Sequence, residues 1–136
     1  MKKRKYSEAD FCTEFGRWVK HAKLSSSMAL EMKVSETDSI PFSALEEHQA
    51  DALLAAKHKQ LYFKIPDDSM SAKPFDSFFL VKAPGIVVVM FRCTDHGQKE
   101  FFMIPIDAWK YEELSSERRS LTEEHAREIS YPQMFA

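Results

Sequence analysis

The sequence predicts an α/β or α+β domain in which a small mixed central sheet is flanked by helices. Two observations carry this prediction. At 136 residues, of which 44% are hydrophobic, the chain is long enough to bury a core of its own. Helical and strand-like hydrophobic periods also alternate along it, with no internal repeat, low-complexity segment or linker between them. We therefore expect a single domain over residues 1–136.

The first helix is expected over about residues 8–22, where Ser7 can cap the N-terminus. Apolar residues recur at helical spacing and form one stripe, and Glu14 lies on the shoulder of that stripe. The stripe consists of Phe11, Phe15, Trp18, Val19 and Ala22.

Residues 28–34 alternate in the manner of a strand, which places Glu31 and Lys33 on a common face. This face is either solvated or part of a functional site. The opposite, apolar face and the two flanking helices, which could bury the strand, favour a site. The apolar face consists of Met28, Leu30, Met32 and Val34.

A second helix is expected after Pro41 and runs to about Lys57, with Ser43 and Glu46 as its capping box. His48 and Gln49 interrupt its inward face. That face consists of Leu45, Ala52, Leu53 and Ala56.

Four further strands follow, and the last two are joined around residues 95–97. The tail is expected to be helical from Asp107 onward. The strands are predicted at residues 61–65, 75–81, 86–93 and 99–106.

Composition excludes several classes of protein. A formal net charge of −2 argues against a globally basic nucleic-acid binder. Residues 1–6 form a predicted flexible basic arm, for which charge alone favours a frayed, solvated terminus over contact with DNA. Neither an export signal nor a membrane span is recognisable, so a cytoplasmic protein is expected. Cys12 and Cys93 are too few for a disulfide framework or a zinc site, and we expect packed free thiols.

Active sites that hydrolyse phosphodiesters commonly combine acidic residues with a lysine. The carboxylates bind Mg²⁺, which polarises the phosphate and activates a water molecule. A lysine beside them can stabilise the negative charge that develops. Glu31 and Lys33, with Glu14 from the first helix, supply these residue types.

The same residues carry a resemblance to a known family. Glu31-Met32-Lys33, followed by Ile40-Pro41-Phe42 and Glu47-His48-Gln49, resembles the ExK strand and the His-Gln helix of RecU-type Holliday junction resolvases. These enzymes belong to the PD-(D/E)xK nuclease superfamily, with its restriction-endonuclease-like fold. Residues 85–92 and 100–109 resemble the strand pair and the closing helix of that family.

The chain departs from the family at the metal-binding Asp, which the family places on a strand just before the ExK strand. No acid occurs between Glu14 and Glu31. Pro74-Phe75-Asp76 opens an apolar hairpin later in the chain, and we expect Asp76 to enter the site from a strand neighbouring that of Glu31. Asp76 would share a strand face with Phe78 and Leu80. An unpaired carboxylate on that apolar face would be costly, and a bound metal would relieve that cost.

Two alternatives to the role of Asp76 stay open. Asp76 can be an ordinary turn or strand-end residue. Asp67, in the literal Pro66-Asp67 pair, is the competing metal ligand, although Asp67-Asp68-Ser69 is typical of a turn.

The resemblance implies a Mg²⁺-dependent endodeoxyribonuclease, with Mn²⁺ as a substitute metal, that cuts four-way junctions or other branched DNA. It implies that Asp76, Glu31 and Glu14 bind the metal and that Lys33 positions the attacking water. It also implies that Gln49 forms a hydrogen bond with the lysine or with a phosphate. Two symmetric cuts imply a two-fold homodimer. A catalytically inactive DNA-binding relic of the nuclease fold and a nuclease for another DNA substrate are the alternatives.

Overall fold

The computed structural model describes residues 5–21, 27–67, 72–93 and 100–131. Within these ranges it is a mixed α/β structure with a small mixed sheet and helices on both of its faces, as the sequence predicts. Its elements, in chain order, are α1 (Glu8–His21), β1 (Ala29–Val34), β2 (Ser39–Pro41), a 3₁₀ helix (Phe42–Ala44), α2 (Glu47–His58), β3 (Gln60–Lys64), β4 (Ser77–Val81), β5 (Gly85–Met90), β6 (Phe101–Pro105), α3 (Ile106–Ser115), β7 (Ser120–Thr122) and α4 (Glu123–Ile129).

The central sheet has the strand order β1-β5-β6, with β1 parallel and β6 antiparallel to β5. Strand β5 is buried along its whole length, and its side chains alternate between two cores. Val87 and Val89 pack in the core shared with α2, α3 and α4, which we call the α2 side. Ile86, Val88 and Met90 pack in the core shared with α1, the α1 side.

Helix α1 begins where the sequence predicts. Ser7 Oγ accepts a hydrogen bond from the Asp10 N–H, while Asp10 Oδ2 accepts one from the Ser7 N–H. Phe11 and Phe15 are buried against the α1 side of the sheet. The predicted apolar stripe is therefore confirmed as far as residue 19, and Ala22 lies outside the described residues.

The predicted start of α2 is wrong by one turn. Its N-cap is Glu46, whose capping-box partner is Gln49, whereas Ser43 lies in the 3₁₀ helix. Leu45 is extended, with φ −87° and ψ 109°, so one continuous helix cannot start at Ser43. The buried face of α2 consists of Ala50, Leu53 and Ala56, with Ala50 in place of the predicted Ala52, and Leu45 is buried just before the helix.

Helix α2 lies unusually close to the sheet because Gly85 has no side chain. A Cβ at this position would lie 2.4 Å from the Leu53 carbonyl oxygen. The C-terminal end of the helix is tied to α3 through Asp107, which contacts Lys57 Nζ at 2.6 Å and His58 Nε2 at 2.8 Å. Both features fix where α2 sits on the sheet.

Strands β3 and β4 form a separate antiparallel hairpin and do not join the central sheet. In the tail, α3 begins at Ile106 as expected, but a pairing of β7 with β2 and a further helix follow it. Three-residue strands are too short to give a period, which is why the sequence did not predict them. The predicted turn at residues 95–97 lies outside the described residues.

The remaining predictions concern the N-terminus and the cysteines. Residues 1–4 lie outside the described part, and the exposed Lys5 forms an ion pair with Glu36. Both cysteines are free thiols, but only Cys93 is buried, so the prediction of packing was wrong for Cys12, which is exposed. Among the described residues, no helix combines the length and the apolar character needed to cross a membrane.

Candidate functional site

Glu31 and Lys33 lie on β1, which is an edge strand of the described sheet, and both face the α2 side. The side chain of Lys33 is only 9% exposed, whereas that of Glu31 is 26% exposed. Lys33 is the one buried charged residue in the described part of the chain. A lysine is almost never buried without a partner, so the interpretation as a solvated strand face is wrong for this position.

The partner of Lys33 is Glu31. Lys33 Nζ lies 3.3 Å from Glu31 Oε1, and Gln49 Nε2 donates a hydrogen bond to the same oxygen at 3.0 Å. Within the described residues, Oε2 of Glu31 makes neither a hydrogen bond nor an ion pair. The carboxylate is thus held through one oxygen, and its other oxygen can still accept a ligand.

The orientation of Gln49 follows from the start of α2. Its Oε1 accepts the Glu46 backbone N–H at 3.0 Å, so the amide group can only present its NH₂ to the sheet. An NH₂ group cannot accept from an ammonium, and for this reason Gln49 contacts Glu31 rather than Lys33. The expected bond from Gln49 to the lysine is therefore absent. The capping box fixes the rotamer of Gln49, and Gln49 in turn holds Glu31.

Within the described part of the chain, Glu14 forms its hydrogen bond with Tyr6 and not with the residues around Lys33. Its Oε2 accepts a hydrogen bond from Tyr6 Oη at 2.8 Å. Burial, reinforced by this hydrogen bond, raises the pKa of Tyr6 far above its usual value. The contact keeps Tyr6 protonated and anchors the entry to α1.

Cys12 lies on a different flank of α1 from Glu14. Partial burial raises the pKa of the Cys12 thiol, and the charges of Glu8 and Glu31 raise it further. Cys12 and Glu14 are two positions apart, which is about 200° around a helix. Glu8, one turn before Cys12, is therefore the carboxylate on the Cys12 flank of α1, as the i, i+4 spacing in the sequence implies.

Asp76 does not come from a strand beside β1, and that expectation is wrong. It precedes β4, which pairs with β3 only, and its backbone carbonyl accepts the Ile65 N–H, which extends the hairpin. Its side chain is 87% exposed and pairs with Lys73 at 3.2 Å, so it is not an unpaired carboxylate on an apolar face. Asp67 occupies a turn and pairs with Lys73 and Lys64.

The carboxylates do not form a ready-made cage for a metal. Among the described residues, no three His, Cys, Asp or Glu side chains are arranged to hold an ion. Of Glu31, Glu14 and Asp76, only Glu31 lies beside Lys33. Mg²⁺ commonly binds through one or two carboxylates and completes its shell with water and substrate phosphate. The donor set fits that looser form of binding, through Glu31, and does not fit a three-carboxylate site.

An open cavity of about 1070 Å³ lies elsewhere, between the start of α2 and the end of α3. Its wall includes Glu46, so it borders the capping box, but it includes neither Glu31 nor Lys33. Carboxylates and cations are mixed in the lining, which includes Glu47, Glu113 and Arg118. Mixed charge is poorly suited to binding phosphate, and the chemistry of the ExK residues, not the size of this cavity, identifies the candidate site.

Comparison with family models, with curated proteins and with solved structures finds no match to this chain. Its resemblance to RecU-type resolvases therefore depends on the residues described above.

Proposed function

We propose that the chain is a metal-dependent endodeoxyribonuclease with a PD-(D/E)xK-like fold, and that its substrate is branched DNA, with the four-way junction as the leading candidate. The observation that carries the proposal is the buried Lys33 beside a carboxylate that is held through a single oxygen. The Glu31 side chain is 26% exposed, so its second carboxylate oxygen is accessible at the edge of the sheet.

Each residue of the cluster has a proposed role. Glu31 would hold Mg²⁺ through Oε2, and the bound metal supplies a polarised phosphate and an activated water. Lys33 places a fixed positive charge beside the reacting phosphate, where it stabilises the charge that develops. Gln49 positions Glu31 through Oε1. Because these groups are already held in place, little reorganisation is needed when DNA binds.

A second candidate function is favoured by a separate observation. The described residues do not assemble a three-carboxylate metal site. A non-cleaving protein that has kept the fold and the DNA-binding surface of a nuclease would have this arrangement. It would bind a four-way junction without cutting it.

One panel of assays separates the two functions. Wild type, Glu31→Gln and the control Glu47→Gln, which removes an exposed carboxylate from the first turn of α2, are incubated with a synthetic four-way junction and a matched linear duplex in Mg²⁺ or Mn²⁺. We expect wild type and the control to nick the junction, and Glu31→Gln to bind it without nicking. Binding by all three proteins with no metal-dependent product would establish the non-cleaving function instead.

A further inference from the structure

The hairpin of β3 and β4 carries an unusual amount of exposed apolar surface. Tyr62 is 65% exposed, Phe79 is 55% exposed and Val81 is 53% exposed. Such side chains are normally scattered singly over a protein surface, but here they cluster on two short paired strands. The full set is Tyr62, Phe63, Phe75, Phe78, Phe79 and Val81.

Helix α2 supports the hairpin from one side only. In the described part of the chain the two strands pair only with each other, and α2 packs against them. Open strand edges are usually protected by charged side chains, but Lys64 is the only charged residue in the two strands. The described residues therefore leave the strand edges and the apolar side chains that face away from α2 uncovered.

The strand register shows which face is outermost. Tyr62 lies opposite Phe79, and Val81 lies on the same face. On the other face Leu61 and Leu80 are half-buried, and beyond them the rings of Phe63 and Phe78 stack at 5.4 Å. The face of Tyr62, Phe79 and Val81, which we call the outer face, is the more open of the two.

We propose that the hairpin is the contact surface of a two-fold homodimer and that it packs against the same hairpin of a second copy. The resemblance to resolvases implies a dimer but assigns no surface to it, and this inference holds whether or not the chain cuts DNA. In a two-fold contact the same surface patch of each copy meets its equivalent, so a patch with a net charge would be repelled by its counterpart. The outer face carries no acid and only Lys64 at one end, so two copies meet with little like-charge repulsion.

The area of the patch is consistent with a second copy as the partner. With about 200 Å² for an aromatic side chain, Tyr62, Phe79 and Val81 expose about 300 Å² of apolar surface, and the other exposed rings of the hairpin raise the total to about 600 Å². A stable dimer of standard size buries about 800 Å² on each partner, of which about 65% is apolar. The outer face alone therefore supplies more than half of the apolar area that one half of such an interface requires.

Sedimentation velocity between about 1 and about 100 µM tests this proposal, because that range spans ordinary dimer affinities. We expect wild type to sediment as a dimer. In Tyr62→Ser/Phe79→Ser we expect the dissociation constant to rise about a hundredfold or more, since central aromatic residues dominate interfaces. The control is Tyr111→Ser/Leu114→Ser, which removes two exposed apolar side chains from α3, 68% and 80% exposed, and is expected to remain a dimer.

Val81→Lys serves as a second variant if the double substitution does not fold, because it adds a positive charge to the outer face of each copy while strands tolerate an exposed lysine. Circular dichroism verifies folding in each case. A wild type that stays monomeric throughout overturns the proposal. So does a dimer that persists in both hairpin variants, or one that only the α3 control dissociates. Loss of junction binding in the hairpin variants without any change in mass would assign the surface to DNA and overturn the proposal as well.

Discussion

Replacing Glu31 by Ala is expected to destabilise the protein because it leaves the ammonium of Lys33 buried without a partner. At a separation of 3.3 Å and an effective dielectric constant of about 20, the two charges attract each other by about 5 kcal/mol. Removing one member of a fully buried pair costs about 3–5 kcal/mol. The Glu31 side chain is 26% exposed, so water already weakens the attraction, and we expect a loss of about 2–3 kcal/mol.

A double-mutant cycle isolates this effect. Lys33→Met removes the buried charge and keeps the volume, so its free energy of unfolding should change by less than about 1 kcal/mol. Combined with Glu31→Ala, it should restore at least about 1.5 kcal/mol relative to the single Glu31→Ala variant.

Urea unfolding with an unchanged m-value measures the free energies. Glu36→Ala, which removes an exposed carboxylate just after β1, is the control and should change stability by less than about 0.5 kcal/mol. A Glu31→Ala variant as stable as wild type, or no recovery on adding Lys33→Met, would refute the argument that burial couples these two residues.

Three further predictions follow from the packing and from the pKa shifts. Gly85→Ala forces a Cβ against the backbone of α2 and should lower the free energy of unfolding by about 2–3 kcal/mol. Gly16→Ala, on α1, adds a Cβ in open space and should raise the free energy of unfolding by about 0.5–1 kcal/mol. Urea unfolding measures both. The pKa of Asp107 is lowered, chiefly by its hydrogen bond from Lys57. Its contribution to stability is small because the side chain is 43% exposed; it is present at neutral pH and is lost as the pH falls through the folded-state pKa. Asp107→Asn should therefore flatten the acid part of the profile of stability against pH. The raised pKa of Cys12 should place the inflection of its iodoacetamide pH–rate profile above that of an ordinary thiol, and Glu31→Gln should move it down; an unshifted inflection in that variant would separate Cys12 from the site.

The local patterns in the sequence were sufficient to predict most of the elements that surround the site. The alternation in residues 28–34 gave the correct faces of β1, and the stripe of α1 gave its packing against the sheet. The buried face of α2 was predicted in outline, although the capping box was placed one turn too early. The spacing of residues 43 and 46 is repeated at residues 46 and 49, and only the extended backbone of Leu45 decides between the two positions.

Long-range placement could not be predicted in the same way. Nothing local to Asp76 specifies whether its strand pairs with β1 or with β3, because strand partners are chosen by the whole sheet. The helix rotation that turns Glu14 toward Tyr6 and away from Glu31 likewise depends on how α1 docks. The ExK residues and Gln49 were found from sequence because they form a motif, whereas their neighbours are set by tertiary packing.

The most direct test of the proposed function is a single-turnover cleavage measurement on a four-way junction in Mg²⁺ with Lys33→Met. This variant is expected to fold with nearly the stability of wild type and to bind the junction with similar affinity. Losing a preorganised positive charge at the reacting phosphate should slow cleavage by about a hundredfold or more. A Lys33→Met protein that cuts the junction as fast as wild type would contradict the assignment of a nuclease site to Glu31 and Lys33.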